Sequence, residues 1–167
     1  AYFGDLPHKL LENNLKSGIC LINHIKYKRR KRVSLNPKIQ RFILTLNLTF
    51  LSEIKLHIDQ FKSKKILKSI LFNLKIDKKL KKEILRNHFS ASTLNSIRIA
   101  RQVADIIIKT DANSIILTYE GFAWERLVFF YARKVNPKIQ CFGYQHSAFF
   151  EHQHSSIRQL TKEYDPD

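Results

Sequence analysis

Residues 113–155 read NSIILTYEGFAWERLVFFYARKVNPKIQCFGYQHSAFFEHQHS, and their pattern decides the fold. Ile115, Ile116, Leu117 and Thr118 make a short continuous apolar run, the mark of a strand covered on both faces. Tyr119, Glu120 and Gly121 form its exit. From Ala123 to Lys134 the apolar residues Ala123, Leu127, Val128, Phe130 and Tyr131 fall mostly at helical spacings, with Glu125 in the first turn and Arg133 and Lys134 in the last, as the helix dipole prefers. Asn136 and Pro137 stop the helix, and Ile139 to Tyr144 is a second apolar run that empties into the polar loop from Gln145 to Ser156. Strands joined by a helix of this length are expected to lie parallel with a right-handed crossover. Their exits, YEG and YQHS, then share the carboxyl edge of one sheet, where open α/β sheets bind ligands.

Working outward, Pro7 suits the first turn of a helix whose apolar face is Leu10, Leu11 and Leu15, closed by Lys16 and Gly18. Tyr2-Phe3-Gly4-Asp5 before it reads as the end of a strand, and Ile19 to Ile22 as the next strand. Residues 36–109 read as helix almost throughout. Phe42 to Leu51 has strand-like composition, but helical spacing through Leu51, Ile54, Ile58 and Phe61 favours helix after Thr49. Ile66 to Leu74 reads as a further helix. Asp77 opens a charged one with a stripe of Leu80, Ile84 and Leu85, and Ser90 or Ser92 caps a long one that buries Ile97, Ala100, Val103, Ala104 and Ile107. The expected fold class is α/β, a parallel sheet with a helical insertion, in a single domain over residues 1–167.

The 167 residues carry 30 Lys plus Arg against 14 Asp plus Glu, a formal charge of +16, so the natural partners are anionic: nucleic acid, phosphorylated substrates or an acidic membrane surface. Lys26 to Arg32 concentrates that charge, either as a solvated loop or as a binding segment. Cys20 and Cys141 both sit in apolar runs and read as buried free thiols, which fits a reducing compartment. No apolar run approaches the roughly 20 residues needed to cross a bilayer. With only four glycines, neither GxGxxG nor GxxxxGK[ST] occurs, which argues against a nucleotide site of the usual kind within this chain. The chain has no Met and opens on Ala1-Tyr2-Phe3, and it reads as a piece of a larger protein.

TYEGFAWERLVFFYARK, PKIQCFGYQHS and the closing YDPD, with FGDLPHKLLENNLKSG near the start, resemble the N-terminal half of GT-B glycosyltransferases that build bacterial capsule, O-antigen and other surface polysaccharides. The resemblance implies a Rossmann-like acceptor-side domain, a missing C-terminal Rossmann-like domain that holds the nucleotide-sugar donor, a glycan or lipid-linked acceptor, and no metal or other cofactor in this chain. It also implies that the acidic-Gly turn faces an interdomain cleft. Glycosyl transfer needs a base for the acceptor hydroxyl and donors for the departing phosphate. Glu120 is the first candidate base, against its reading as a solvated loop carboxylate; Glu125 competes, against its reading as a helix-dipole or Arg partner. His146 is a candidate for phosphate donation or acceptor orientation, and Tyr119, Gly121, Gln145 and Ser147 for substrate binding. His152-x-His154 has the alternation of a zinc site but no Cys or Asp at a structural spacing, so no metal is assigned.

Two other readings stand beside the transferase: a basic nucleic-acid-binding module, against which no RRM, KH, zinc-finger or helix-turn-helix signature appears, and a noncatalytic scaffold at a membrane surface. The expected location is cytoplasmic, peripheral at the inner membrane, with Lys26 to Arg32 and the lysines between Lys62 and Lys82 drawn to anionic lipid.

Overall fold

The computed structural model describes residues 4–22, 39–145 and 157–167. In chain order they form α1 (Leu6–Glu12), β1 (Gly18–Ile22), β2 (Gln40–Leu44), α2 (Phe50–Asn73), α3 (Lys78–Asn87), α4 (Ala91–Thr110), β3 (Ser114–Thr118), α5 (Ala123–Val135) and β4 (Gln140–Tyr144). The architecture is mixed α/β. Every strand pair is parallel: β1 runs beside β2 with Gly18 opposite Gln40, and β3 beside β4 with Ser114 opposite Gln140. Among the described residues these are two separate two-stranded sheets, where the sequence led us to expect one.

Local chemistry accounts for most boundaries. Asp77 caps α3 by accepting from the N–H groups of Lys79 (2.7 Å) and Leu80 (3.3 Å), and Ser90 caps α4 by accepting from Thr93 N–H (3.1 Å). At its far end α4 stops on Asp111 in the left-handed region. The α5 helix ends where Asn136 N–H reaches Ala132 O at 2.9 Å, immediately before Pro137.

Three readings of the insertion need correction. Residues 50–73 make one helix, not two, because no Gly or Pro interrupts them. Gln40–Leu44 is a strand that the largely helical reading of residues 36–109 did not separate out; five residues are too few to establish a period against the helix that follows. The Leu80, Ile84 and Leu85 stripe of α3 is also shallower than expected, since Leu80 is exposed and α3 has no buried residue.

The core lies where α4 and α5 pack together over β3 and β4. Ala100, Val128, Phe129, Ala132 and Cys141 are wholly buried there, joined by Val103, Ile107, Tyr119 and Ile139. Ala100 and Ala132 are small enough to let the two helices approach closely. The inward face of α4 is the one expected from its sequence. That of α5 is rotated: Phe129 and Ala132 point inward while Ala123 is exposed and Phe130 is only half-buried. Cys141 is buried, and burial pushes its thiol up to about 11. Cys20 is exposed, contrary to expectation, because β1 has no covered face at that position.

Two ion pairs tie α2 to α4. Glu53 receives both Nε (2.7 Å) and a terminal nitrogen (2.9 Å) of Arg98, and Asp59 receives Arg101 at 2.8 Å. The Arg98 hydrogen bonds, helped by Leu48 N–H and opposed by burial, hold the Glu53 carboxyl at about 2. A carboxyl depressed on folding stabilises the fold above its unfolded value near 4.5, and that stability is lost as pH falls from there toward 2. Glu53→Gln is therefore expected to flatten this part of the acid limb and to cost roughly 2 kcal/mol at neutral pH, a figure reduced from the full shift for partial solvent screening. Denaturant titrations of the intact protein at stepped pH test this; an unchanged acid limb in the variant contradicts it.

Candidate functional site

The β3–β4 register places Thr118 opposite Tyr144, and Tyr119 N–H continues the ladder to Tyr144 O at 3.0 Å. Both strands therefore leave the sheet from the same edge. Tyr119, Glu120 and Gly121 come off β3 and Gln145 off β4, so the sequence-predicted juxtaposition holds for these residues. His146 and Ser147, like Glu151, His152 and His154, lie outside the described residues, as does the basic run from Lys26 to Arg32.

The turn after β3 is shaped from below. Gly121 has φ +79°, in the left-handed region that a side chain disfavours. Glu125, only 1% exposed, folds back from the first turn of α5, and its Oε2 accepts from Glu120 N–H and Phe122 N–H, both at 2.9 Å. This is half of a capping box, the half a glutamate supplies; Phe122 at the N-cap has no oxygen with which to return it. Burial pushes the Glu125 carboxyl up, and the N–H donors of Glu120, Phe122 and Gly121 pull against it. Glu125 thus sits beneath the turn as its support. Glu120, half-buried, is the carboxylate at the edge itself.

Sequence reasoning did not find the cluster next to this turn. Arg126 is 4% exposed: its Nε donates to Gly121 O (3.4 Å), one terminal nitrogen pairs with Asp165 Oδ1 and the other donates to Arg158 O (2.6 Å). Tyr119 donates its hydroxyl to the same Asp165 oxygen at 3.1 Å, and the Arg126 guanidinium lies 5.5 Å from the Tyr119 ring centre. Burial pushes the Tyr119 phenol up, against the Arg126 charge. One helical face thus holds the site turn on one side and the closing segment on the other.

Residues 157–167 are fastened along α5 by more than Arg126. Arg133 donates to Asp165 O (2.8 Å) and pairs with Asp167 (3.0 Å), and Tyr164 stacks on Phe130 with ring centres 4.9 Å apart. Asp167 exchanges two bonds with Cys141, its carboxylate accepting from the amide (2.7 Å) and its own N–H donating to the carbonyl (2.8 Å). Pro166 comes so close to β4 that a Cβ on Gly143 would stand 3.1 Å from its Cγ and 2.9 Å from Tyr119 Cβ. The signal that could have revealed this docking is the pair Arg126 and Arg133, seven residues apart on one helical face, facing the Asp165-x-Asp167 pattern.

An open hollow of about 560 Å³ lies at the other end of β4, lined by Arg133, Pro137, Lys138, Gln140, Phe142 and Lys162. It is at the amino end of the strand, away from the edge where parallel sheets present ligand-binding loops. Among the described residues, no three His, Cys, Asp or Glu side chains are grouped to hold a metal. No protein-family model, curated protein or solved structure matches the chain.

Proposed function

We propose that this chain is the Rossmann-like acceptor-side domain of a GT-B glycosyltransferase, moving a sugar from a nucleotide-sugar donor to a surface-polysaccharide or lipid-linked acceptor. The observation that carries the reading is the pairing of the TYEG and YQ strand exits at one parallel edge, with Glu120 on a glycine turn fixed from beneath by Glu125. The resemblance of TYEGFAWERLVFFYARK and PKIQCFGYQHS to these transferases supplies the reaction class.

In this reaction the acceptor hydroxyl gives its proton to the Glu120 carboxylate as its oxygen bonds to the anomeric carbon. The bond from that carbon to the donor phosphate breaks, and the electron pair leaves on the phosphate. A base at this position needs a fixed backbone, because proton transfer falls off steeply with small misplacements. Glu125 supplies that fixity through the Glu120 N–H. The donor is assigned to a second Rossmann-like half, consistent with the lack of a glycine-rich phosphate loop in this chain.

The test is to incubate the intact protein with membranes of its source cells and a panel of radiolabelled nucleotide sugars. Protein-dependent incorporation of one sugar into lipid-extractable or polymeric material is the expected result. If no donor gives incorporation or protein-dependent release of nucleotide, the reading is wrong.

A further inference from the structure

Residues 157–167 lie along α5 without burying any side chain of their own completely, and Ile157 and Leu160 are 64% and 45% exposed. Polar and stacking contacts fasten them instead. Arg133 pairs with Asp167, Asp167 exchanges its two bonds with Cys141, and Tyr164 stacks on Phe130. A segment held in this way, with little apolar area behind it, is a unit of low local stability that opens without the rest of the fold.

The middle of the segment is nevertheless joined to the candidate site. Asp165 serves both: its Oδ1 accepts from the Tyr119 hydroxyl (3.1 Å) and from Arg126, and its Oδ2 from Leu160 N–H (2.6 Å). Arg126 spans the junction, with Nε on Gly121 O (3.4 Å) and a terminal nitrogen on Arg158 O (2.6 Å). Both charges are nearly out of water, the Arg126 side chain 5% exposed and that of Asp165 14%. Pro166 and Tyr119 also close on the same side of Gly143, where a Cβ would meet both. Each end of the turn, Tyr119 and Gly121, is thus held by the segment or by a side chain that the segment holds.

We infer that residues 157–167 are a strap whose docking positions the Tyr119–Gly121 turn, with Arg126 and Asp165 as the positioning residues that couple the two. The cause is the cost of keeping a guanidinium buried away from its carboxylate. When the strap lifts, Arg126 loses the Asp165 carboxylate and Arg158 O together and turns toward water. Its Nε then leaves Gly121 O, and Tyr119 loses the acceptor of its hydroxyl in the same step. The turn therefore has two states. In the docked state it is held from the Arg126 side as well as from beneath by Glu125; in the lifted state Glu125 holds it without that second support. The consequence for sugar transfer, that Glu120 is in position only while the strap is docked, rests on the reaction proposed above; the coupling itself does not.

Hydrogen exchange of the intact protein, followed peptide by peptide with mass spectrometry, tests the coupling in the double variant Tyr164→Ala, Asp167→Asn. These two residues hold the strap at Phe130, Arg133 and Cys141, away from the turn. Losing a ring stack and a charge-assisted bond is expected to speed exchange within residues 157–167 on the order of tenfold. The Glu120 and Phe122 amides should speed up with it, while α4 stays as protected as in the parent. Faster exchange in the strap above an unchanged turn overturns the inference, as does a variant whose strap is as protected as the parent's. A rise of equal size in α4 also overturns it, because the segment would then open only with the whole fold. No donor or acceptor enters this experiment, so its failure is distinct from failure of the transferase reading.

Discussion

Phe129→Ala is expected to cost about 3–5 kcal/mol of stability, enough to leave the domain largely unfolded under mild conditions. The phenyl ring is wholly buried between α5, α4 and the β3–β4 pair, in one cluster with Val128, Ala132 and Cys141. Its centre is 5.9 Å from that of Tyr119, and the Arg133 guanidinium lies 5.9 Å from it on the side of the docked C-terminal residues. Removing the ring leaves a cavity bounded by two helices and a sheet that cannot all move inward, so the cost approaches the upper part of the range for aromatic truncation. Phe130→Ala serves as the control, because that ring is half-buried and stacks on Tyr164; its loss should be smaller and should loosen residues 157–167 first. Denaturant midpoints of the two variants, compared at equal slope, decide the matter. A Phe130 effect equal to or larger than that of Phe129 would mean that α5 presents the other face to the core.

The sequence alone distinguishes those faces poorly. Phe129-Phe130-Tyr131 offers three consecutive large apolar residues, and nothing local in the sequence selects the first as the one that joins the buried cluster with Ala100 and Ala132. The strand, helix, strand order of residues 114–144 was legible because each element ends on a local signal: Gly121 in the left-handed region, Asn136-Pro137 after the helix, polar residues after Tyr144. The caps of α3 and α4 were legible for the same reason. Contacts between distant residues leave no such local mark. The pairing of β2 with β1, the exposure of Cys20 and the fastening of Asp165 by Arg126 across 39 positions arise from packing between segments, which hydrophobic periodicity does not record. At the site, the shared edge followed from the parallel crossover. The sequence already placed Glu120 ahead of Glu125 as the candidate base; what it could not show is that Glu125 is buried beneath the turn while Glu120 stays half-buried at the edge.

That division makes Glu120→Gln the substitution with the largest expected effect on activity. The change keeps the shape of the side chain and the turn beneath it, but it removes the carboxylate proposed to receive the acceptor proton. The loss of a positioned general base lowers turnover by about 10²–10⁴-fold. Because Glu120 is at the edge and the turn is held by Glu125, the melting temperature should stay close to that of the parent. Glu125→Gln is expected to behave differently. Its Oε2 accepts both backbone N–H groups from a buried position; a neutral amide oxygen holds them less strongly than a carboxylate, and its NH2 enters a buried place that held an acceptor, which disturbs the turn and lowers stability together with activity. The measurement that bears most directly on the proposed function is the sugar-transfer rate of the intact protein carrying Glu120→Gln, recorded beside its melting temperature. A fall of at least about a hundredfold in turnover with an unchanged melting temperature is expected; near-parental turnover in a fully folded variant would contradict the proposed role of Glu120.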